Sequence, residues 1–165
     1  GLNTLIYAGH GLSVKEPLAQ SELNHLLRIS QDFTASHQMR LIWYTPTQYC
    51  HFNPVEANLG VKGCTAALYN MCIEPDGGVI PCQSYYHPLG NIRRDPWQEI
   101  WNHPLALHLR ERKYTPAECQ DCELLQSCGS GCPLALQTGA YPQPRPLLFK
   151  PGTSADLNQP ILMEK

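Results

Sequence analysis

Seven cysteines at positions 64, 72, 82, 119, 122, 128 and 132 limit what this chain can fold into more than any other feature. The last four form a C-x2-C-x5-C-x3-C run. Eight cysteines in all would allow four disulfides. No secretion signal opens the sequence, however, and its first fifty residues read as an α/β enzyme rather than a small secreted scaffold. Two cysteines separated by two residues are also better placed to share a metal than to anchor a cross-link. Zinc is the stronger rival, because C-x2-C with two further cysteines is a common four-thiolate pattern. Seven thiolates cannot fill two closed four-thiolate sites, whereas iron–sulfur clusters favour thiolates and tolerate an iron with a non-cysteine or exchangeable ligand. The eighth cysteine, Cys50, stands outside the spacing and reads as a small buried side chain.

The rest of the composition is consistent with a metal-clamped scaffold. Charged residues are 16% of the 165, the formal net charge is −2, and Gly and Pro supply 12 and 15 residues. No basic field marks a nucleic-acid partner, and no apolar run reaches the roughly 20 residues of a membrane span. The expected location is the cytoplasm. The chain opens on Gly1-Leu2-Asn3 and enters an apolar stretch at once, so its N-terminus reads as a cut inside a longer polypeptide.

Residues 1–55 carry the α/β signal. Thr4-Leu5-Ile6-Tyr7-Ala8, closed by Gly9-His10-Gly11, reads as a buried strand ending in a loop. Ser21 is the expected N-cap of a helix from about Glu22 to His37, with Leu23, Leu26, Leu27 and Phe33 as its buried stripe. Met39 to Tyr44 reads as a second strand, paired parallel because its unbroken Leu-Ile-Trp-Tyr needs cover on both faces. Chemistry collects at the C-terminal ends of parallel strands. That rule makes His10, Tyr49 and His51 candidates for facing a substrate, against a plainer reading as polar loop residues.

Residues 70–82 read as a β-hairpin about Pro75-Asp76-Gly77. A two-residue turn would throw Cys72 and Cys82 onto opposite faces. A three-residue loop, with Pro75 opening a type I turn and Gly77 at the left-handed bulge position, pairs Glu74 with Gly78 and puts both cysteines on one face. The second register is expected. Further on, Asp95-Pro96 reads as an N-cap and first helical residue, and Pro104 opens another turn set to about Arg112 with Leu105, Leu107 and Leu109 partly buried. Trp97, Ile100 and Trp101 are expected to pack beneath the metal sites and limit water access.

Cys64, Gly77-x4-Cys82, Gly90-Asn91-Ile92, Ile100-Trp101 and the closing Cys128-Gly129-Ser130-Gly131-Cys132-Pro133 together resemble the SPASM domain of radical SAM enzymes over about residues 64–135. The resemblance implies an α+β chain: the C-terminal βα elements of a partial TIM barrel (residues 1–55), then a cysteine-rich domain with a small hairpin and short helices (60–137). It implies two auxiliary [4Fe–4S] clusters, the first on Cys64, Cys72, Cys82 and Cys132, the second on Cys119, Cys122 and Cys128. Cys132 would cross over and tie the halves together. The family has one more cysteine after this run and this sequence has none, so the last ligand is a carboxylate such as Asp156, ahead of Glu164, or water or substrate at an open site, or a residue beyond the cut. The C-x3-C-x2-C motif of the S-adenosylmethionine cluster is also missing, so this piece is expected to be silent alone. Its parent is expected to hold that third [4Fe–4S] cluster in an N-terminal radical SAM domain and to cleave S-adenosylmethionine to a 5′-deoxyadenosyl radical. The auxiliary clusters would pass electrons or dock a peptide, protein or other substrate, with a ferredoxin or flavodoxin as reductant. The alternative is a zinc-stabilised structural or interaction module.

Residues 138–165 hold five prolines, at 142, 144, 146, 151 and 160, and no period. They read as an extended tail in which Arg145 and Lys150 are solvated charges or contacts for an acidic substrate.

Overall fold

A computed structural model describes residues 1–139. The expected tail, with Arg145, Lys150, Asp156 and Glu164, lies outside the described residues. Within them the fold is α+β, with a three-stranded antiparallel sheet and five α-helices. None of these helices is long and apolar enough to cross a membrane.

In the N-terminal third, helix α1 (Gln20–Ser36) forms close to its expected span, but from a different cap. The N-cap is Ala19 rather than Ser21, because the Glu22 carboxylate accepts the Ala19 N–H at 2.7 Å and holds the chain at its entry. Of the expected apolar stripe only Leu27 is buried; Leu26 and Phe33 are exposed. The two expected strands reduce to one parallel bridge, Leu2 with Trp43. The Leu2 N–H donates to the Ile42 carbonyl at 2.8 Å, and the Tyr44 N–H donates to the Leu2 carbonyl at 3.1 Å. Beyond it the N-terminal segment turns away: the Ala8 N–H folds back onto the Ile6 carbonyl, and Gly9–Ser13 coils into a 3-10 helix. Two short parallel segments with one neighbour each cannot satisfy a ladder on both edges, so propensity alone does not make strands of them.

The cysteine-rich part is built on the hairpin. Strands β1 (Cys72–Ile73) and β2 (Gly78–Ile80) pair Cys72 with Ile80 and Ile73 with Val79. The Glu74 N–H donates to the Gly78 carbonyl at 2.8 Å, so the register is that of the three-residue loop. Gly77 supplies the left-handed residue at φ 89°, and the Asp76 carboxylate accepts the Gly78 N–H at 2.9 Å. In this register Cys72 pairs with Ile80, and Cys82 follows two residues on, in the bend just past the ladder. Strand β3 (Gly90–Asn91) completes the sheet against β2.

Two short helices cover this sheet. Helix α2 (Trp97–Trp101) takes Pro96, not Asp95, as its N-cap, because the Asp95 carboxylate is used at 2.7 Å by the Asn91 N–H. Helix α3 (Pro104–Arg110) ends two residues before Arg112 and is capped by His103, whose ring nitrogen accepts the Leu105 N–H. The core joins Val79 and Leu89 of the sheet region to Ile100, Ala106 and Leu109, with Ala66 and Ala67 beneath. Cys64, Cys82 and Tyr114 pack against it. Ile100 is 1% exposed, as expected for a residue under the site. The tryptophans are not: Trp97 is 46% and Trp101 36% exposed. On so short a helix one face is buried and Ile100 fills it. The tryptophan rings lie together on the other side, where the Arg110 guanidinium stacks 4.0 Å from the Trp101 ring centre.

Candidate metal centre

The C-x3-C stretch from Cys128 to Cys132 is shaped by backbone that few residues tolerate. Helix α4 (Leu125–Cys128) stops at Gly129, and Gly129, Ser130 and Gly131 follow in the left-handed region at φ 59°, 62° and 80°. Three such residues in a row fold the loop back on Cys128, so the Ser130 and Gly131 amides favour its thiolate against the burial that pushes the thiol up. Ser130 is fully buried and its hydroxyl favours a thiolate at Cys119. Helix α5 (Pro133–Gln137) then starts with Cys132 at its N-cap. Burial raises the Cys132 thiol, while the amides of Ala135 and Leu134, in the first turn of that helix, pull the other way.

None of the eight cysteines forms a disulfide, and seven of them sort into two groups by what acts on each sulfur. Burial pushes Cys64 up to about 11, the Ala66 amide opposes it, and Cys132 and Cys82 push the same way. Burial also raises Cys82, with the Ser84 and Tyr85 amides opposing and Cys132 adding. Cys72, less enclosed, is raised by burial and then by Cys82. In the second group Cys119 is raised by burial and then by Cys128 and Cys122, and Cys128 feels Cys122 in turn. The sets are Cys64, Cys72, Cys82 and Cys132, and Cys119, Cys122 and Cys128. Among the described residues, no three His, Cys, Asp or Glu side chains are placed to hold a single metal ion.

This donor set fits iron–sulfur clusters. Soft thiolates are the ligands such clusters take, and N–H groups aimed at the sulfurs are what tunes them. A cavity of about 900 Å³ opens on Cys64, Cys82 and Cys132, and reaches Leu5, Leu23 and Tyr44 of the N-terminal part.

Two further residues belong to the centre, and sequence spacing did not mark them. The Tyr114 hydroxyl donates to the Gly129 carbonyl at 3.1 Å. Burial holds its proton on, and Cys64, Cys132 and Cys128 add to this, so the ring sits where both thiol groups are felt. The Arg112 guanidinium donates to the Leu125 and Gln126 carbonyls, of the first two residues of α4, at 2.8 and 3.1 Å, and its charge favours a thiolate at Cys64. An aromatic and a cation just ahead of a C-x2-C pair were the only available signal.

The substrate-facing candidates do not converge. His10 is exposed on the 3-10 helix, and none of His10, Tyr49 and His51 lines the cavity. Tyr49 is buried, its hydroxyl accepting the Lys62 N–H at 2.9 Å and its own N–H donating to the Cys128 sulfur at 3.4 Å. It packs against Cys128 of the second group.

One pH effect follows for the metal-free chain. A thiol ordinarily at 9.0 sits at about 11 at Cys64, so the folded state keeps a proton that the unfolded state gives up first. The stability this contributes is present below pH 9 and is lost as pH climbs toward 11. Urea midpoints of metal-free protein are expected to fall between about pH 8 and about pH 10.5. A flat profile would mean the thiol is not enclosed.

Residues 64–123 match the SPASM family, described as an iron–sulfur cluster-binding domain. The AdoMet-dependent heme synthase of Methanosarcina barkeri (strain Fusaro / DSM 804) is 32% identical over 95 residues, covering 55% of this chain and 27% of that protein. No solved structure gives a significant match. The chain spans about a quarter of that relative's length, and the segment similar to the SPASM iron–sulfur cluster-binding domain holds Cys64, Cys72, Cys82, Cys119 and Cys122.

Proposed function

We infer that this chain is the auxiliary-cluster module of a radical SAM oxidoreductase or maturase, holding two [4Fe–4S] clusters. Cys64, Cys72, Cys82 and Cys132 ligate the first; Cys119, Cys122 and Cys128 ligate the second. What supports this is the match of residues 64–123 to an iron–sulfur cluster-binding domain, together with backbone amides that favour thiolates at Cys64, Cys82, Cys128 and Cys132. When bound, such clusters take up and release single electrons.

The chain's own residues do the rest. The hairpin and α5 hold the first set on a rigid core, and the left-handed Gly129-Ser130-Gly131 loop wraps the second. Tyr114, between the sets, and the Arg112 cation set the polarity around them. Residues 1–55 are the end of a partial TIM barrel belonging to an N-terminal radical SAM domain, and the single parallel bridge is the start of that pairing. The cavity joining the barrel remnant to the first thiol set is where a peptide or other substrate docks. A cytoplasmic ferredoxin or flavodoxin supplies electrons. That a relative is an AdoMet-dependent enzyme supports a parent that uses S-adenosylmethionine.

Potentiometric EPR on the anaerobically reconstituted chain tests this reading. Two signals that appear on reduction at separate potentials are expected. A protein that gives no reducible signal is a structural module, not an electron carrier.

A further inference from the structure

Resting on the two-cluster reading, the structure carries one step more. The second set has three thiolates for four irons, and the chain has one cysteine unassigned.

That cysteine lies in the turn seated on the second set. The His51 and Phe52 N–H groups both donate to the Gln48 carbonyl, at 3.0 and 3.2 Å, which closes a tight turn with Cys50 in its middle. The residues around it grip Cys128 from both sides: the Tyr49 N–H donates to its sulfur, and that sulfur donates to the Thr47 carbonyl, each at 3.4 Å. With N–Cα near 1.5 Å and consecutive Cα atoms 3.8 Å apart, the Cys50 Cα is within about 9 Å of the Cys128 sulfur. The loop is fixed there at a second place. A side chain at Gly63 would meet the Ser127 carbonyl at 3.0 Å, and Lys62 bonds both Thr47 and the Tyr49 hydroxyl.

An independent observation points to a ligand at this turn. Gln48 is 1% exposed and neither atom of its side-chain amide has a hydrogen-bond partner. An amide buried in that way is destabilising until a partner satisfies it, and the sulfurs of a cluster are acceptors for its N–H groups.

We propose that Cys50 is the fourth thiolate of the second cluster, so that eight cysteines serve two complete four-thiolate sites. The thiol gives up its proton to solvent on ligation, with no change of oxidation state. The second set is thus completed from before Cys64, and the loop 47–63 is a part of the metal centre.

The test uses the full chain, reconstituted anaerobically. Wild type is expected to bind about eight irons and show two reduced EPR signals. Cys50→Ala is expected to lose the signal that Cys128→Ala also loses and to keep the other, and Cys50→Ser to retain it with an altered line shape. Cys50→Ala with both signals and its iron unchanged would overturn the assignment. Loss of both signals together, without rescue by Ser, would make Cys50 a packing residue and overturn it too. A wild-type chain with no second signal would instead sink the two-cluster reading on which it rests. Iodoacetamide labelling of wild type needs no variant to fold. Cys50 should resist with Cys119, Cys122 and Cys128 in the loaded protein and react with them once the metal is stripped; labelling at equal rates in both forms would refute the ligation.

Discussion

Replacing Cys132 with Ala is expected to cut bound iron from about eight to about four atoms per chain, and to lower the melting temperature sharply. Cys132 is the sulfur that acts on both Cys64 and Cys82, although it lies four residues beyond Cys128 of the other set. As a ligand of the first set it would join the hairpin half of the domain to the C-x2-C half. It also starts α5, whose buried Pro133 and Ala135 hold the helix in place. Losing a group bound at a thousandfold its Kd removes about 4 kcal/mol from the folded state, a large share of the about 5–15 kcal/mol that keeps a small domain folded. Iron and sulfide assays with thermal melts check this. Cys132→Ser keeps an N-cap oxygen for α5, so it should recover part of the melting temperature without the iron. Full iron in Cys132→Ala would place this residue outside the first set.

Truncating Ile100 to Ala is the second large effect. The side chain is 1% exposed and packs with Val79, Leu89, Ala106 and Leu109. Such a deletion costs about 2–5 kcal/mol. Because Cys64 and Cys82 pack on the same cluster of side chains, the first thiol set should lose iron in step with the fold. Trp97→Ala gives the contrast: the ring is 46% exposed, and surface substitutions stay within about 0.5 kcal/mol. Urea titration of the two variants separates them. Equal losses would mean that the tryptophan face is covered.

What could be read in the residues, and what could not, follows from how local each signal is. The hairpin register was legible because turn chemistry is local: Pro75, Asp76 and Gly77 fix a three-residue loop, and the register then pairs Cys72 with Ile80, two residues before Cys82. The extents of α1 and α3 were nearly legible for the same reason. Caps were less so, because competing acceptors decide them: Glu22 rather than Ser21 holds the start of α1, and Asp95 is taken by Asn91. The expected strands at 4–8 and 39–44 needed long-range partners, and propensity says nothing about whether those are there. The tryptophans were misplaced because a five-residue helix has one buried face, and periodicity cannot say which side chain takes it. The division of the thiols into two ligand sets is implied by the resemblance and by nothing local in the residues, because it depends on partners far apart in the chain. Tyr114 and Arg112 escaped notice because their roles depend on contacts with residues at 125–129. Cys50 was set aside for the same kind of reason. Its turn meets Cys128 across 79 residues of sequence, through the Tyr49 amide.

The central claim is that these cysteines hold iron–sulfur clusters rather than a structural metal. Iron, acid-labile sulfide and zinc determined together on one anaerobically reconstituted sample test it most directly. About eight irons and eight sulfides per chain, with zinc negligible, are expected. Stoichiometric zinc that reconstitution cannot displace, with neither iron nor sulfide, would contradict the account.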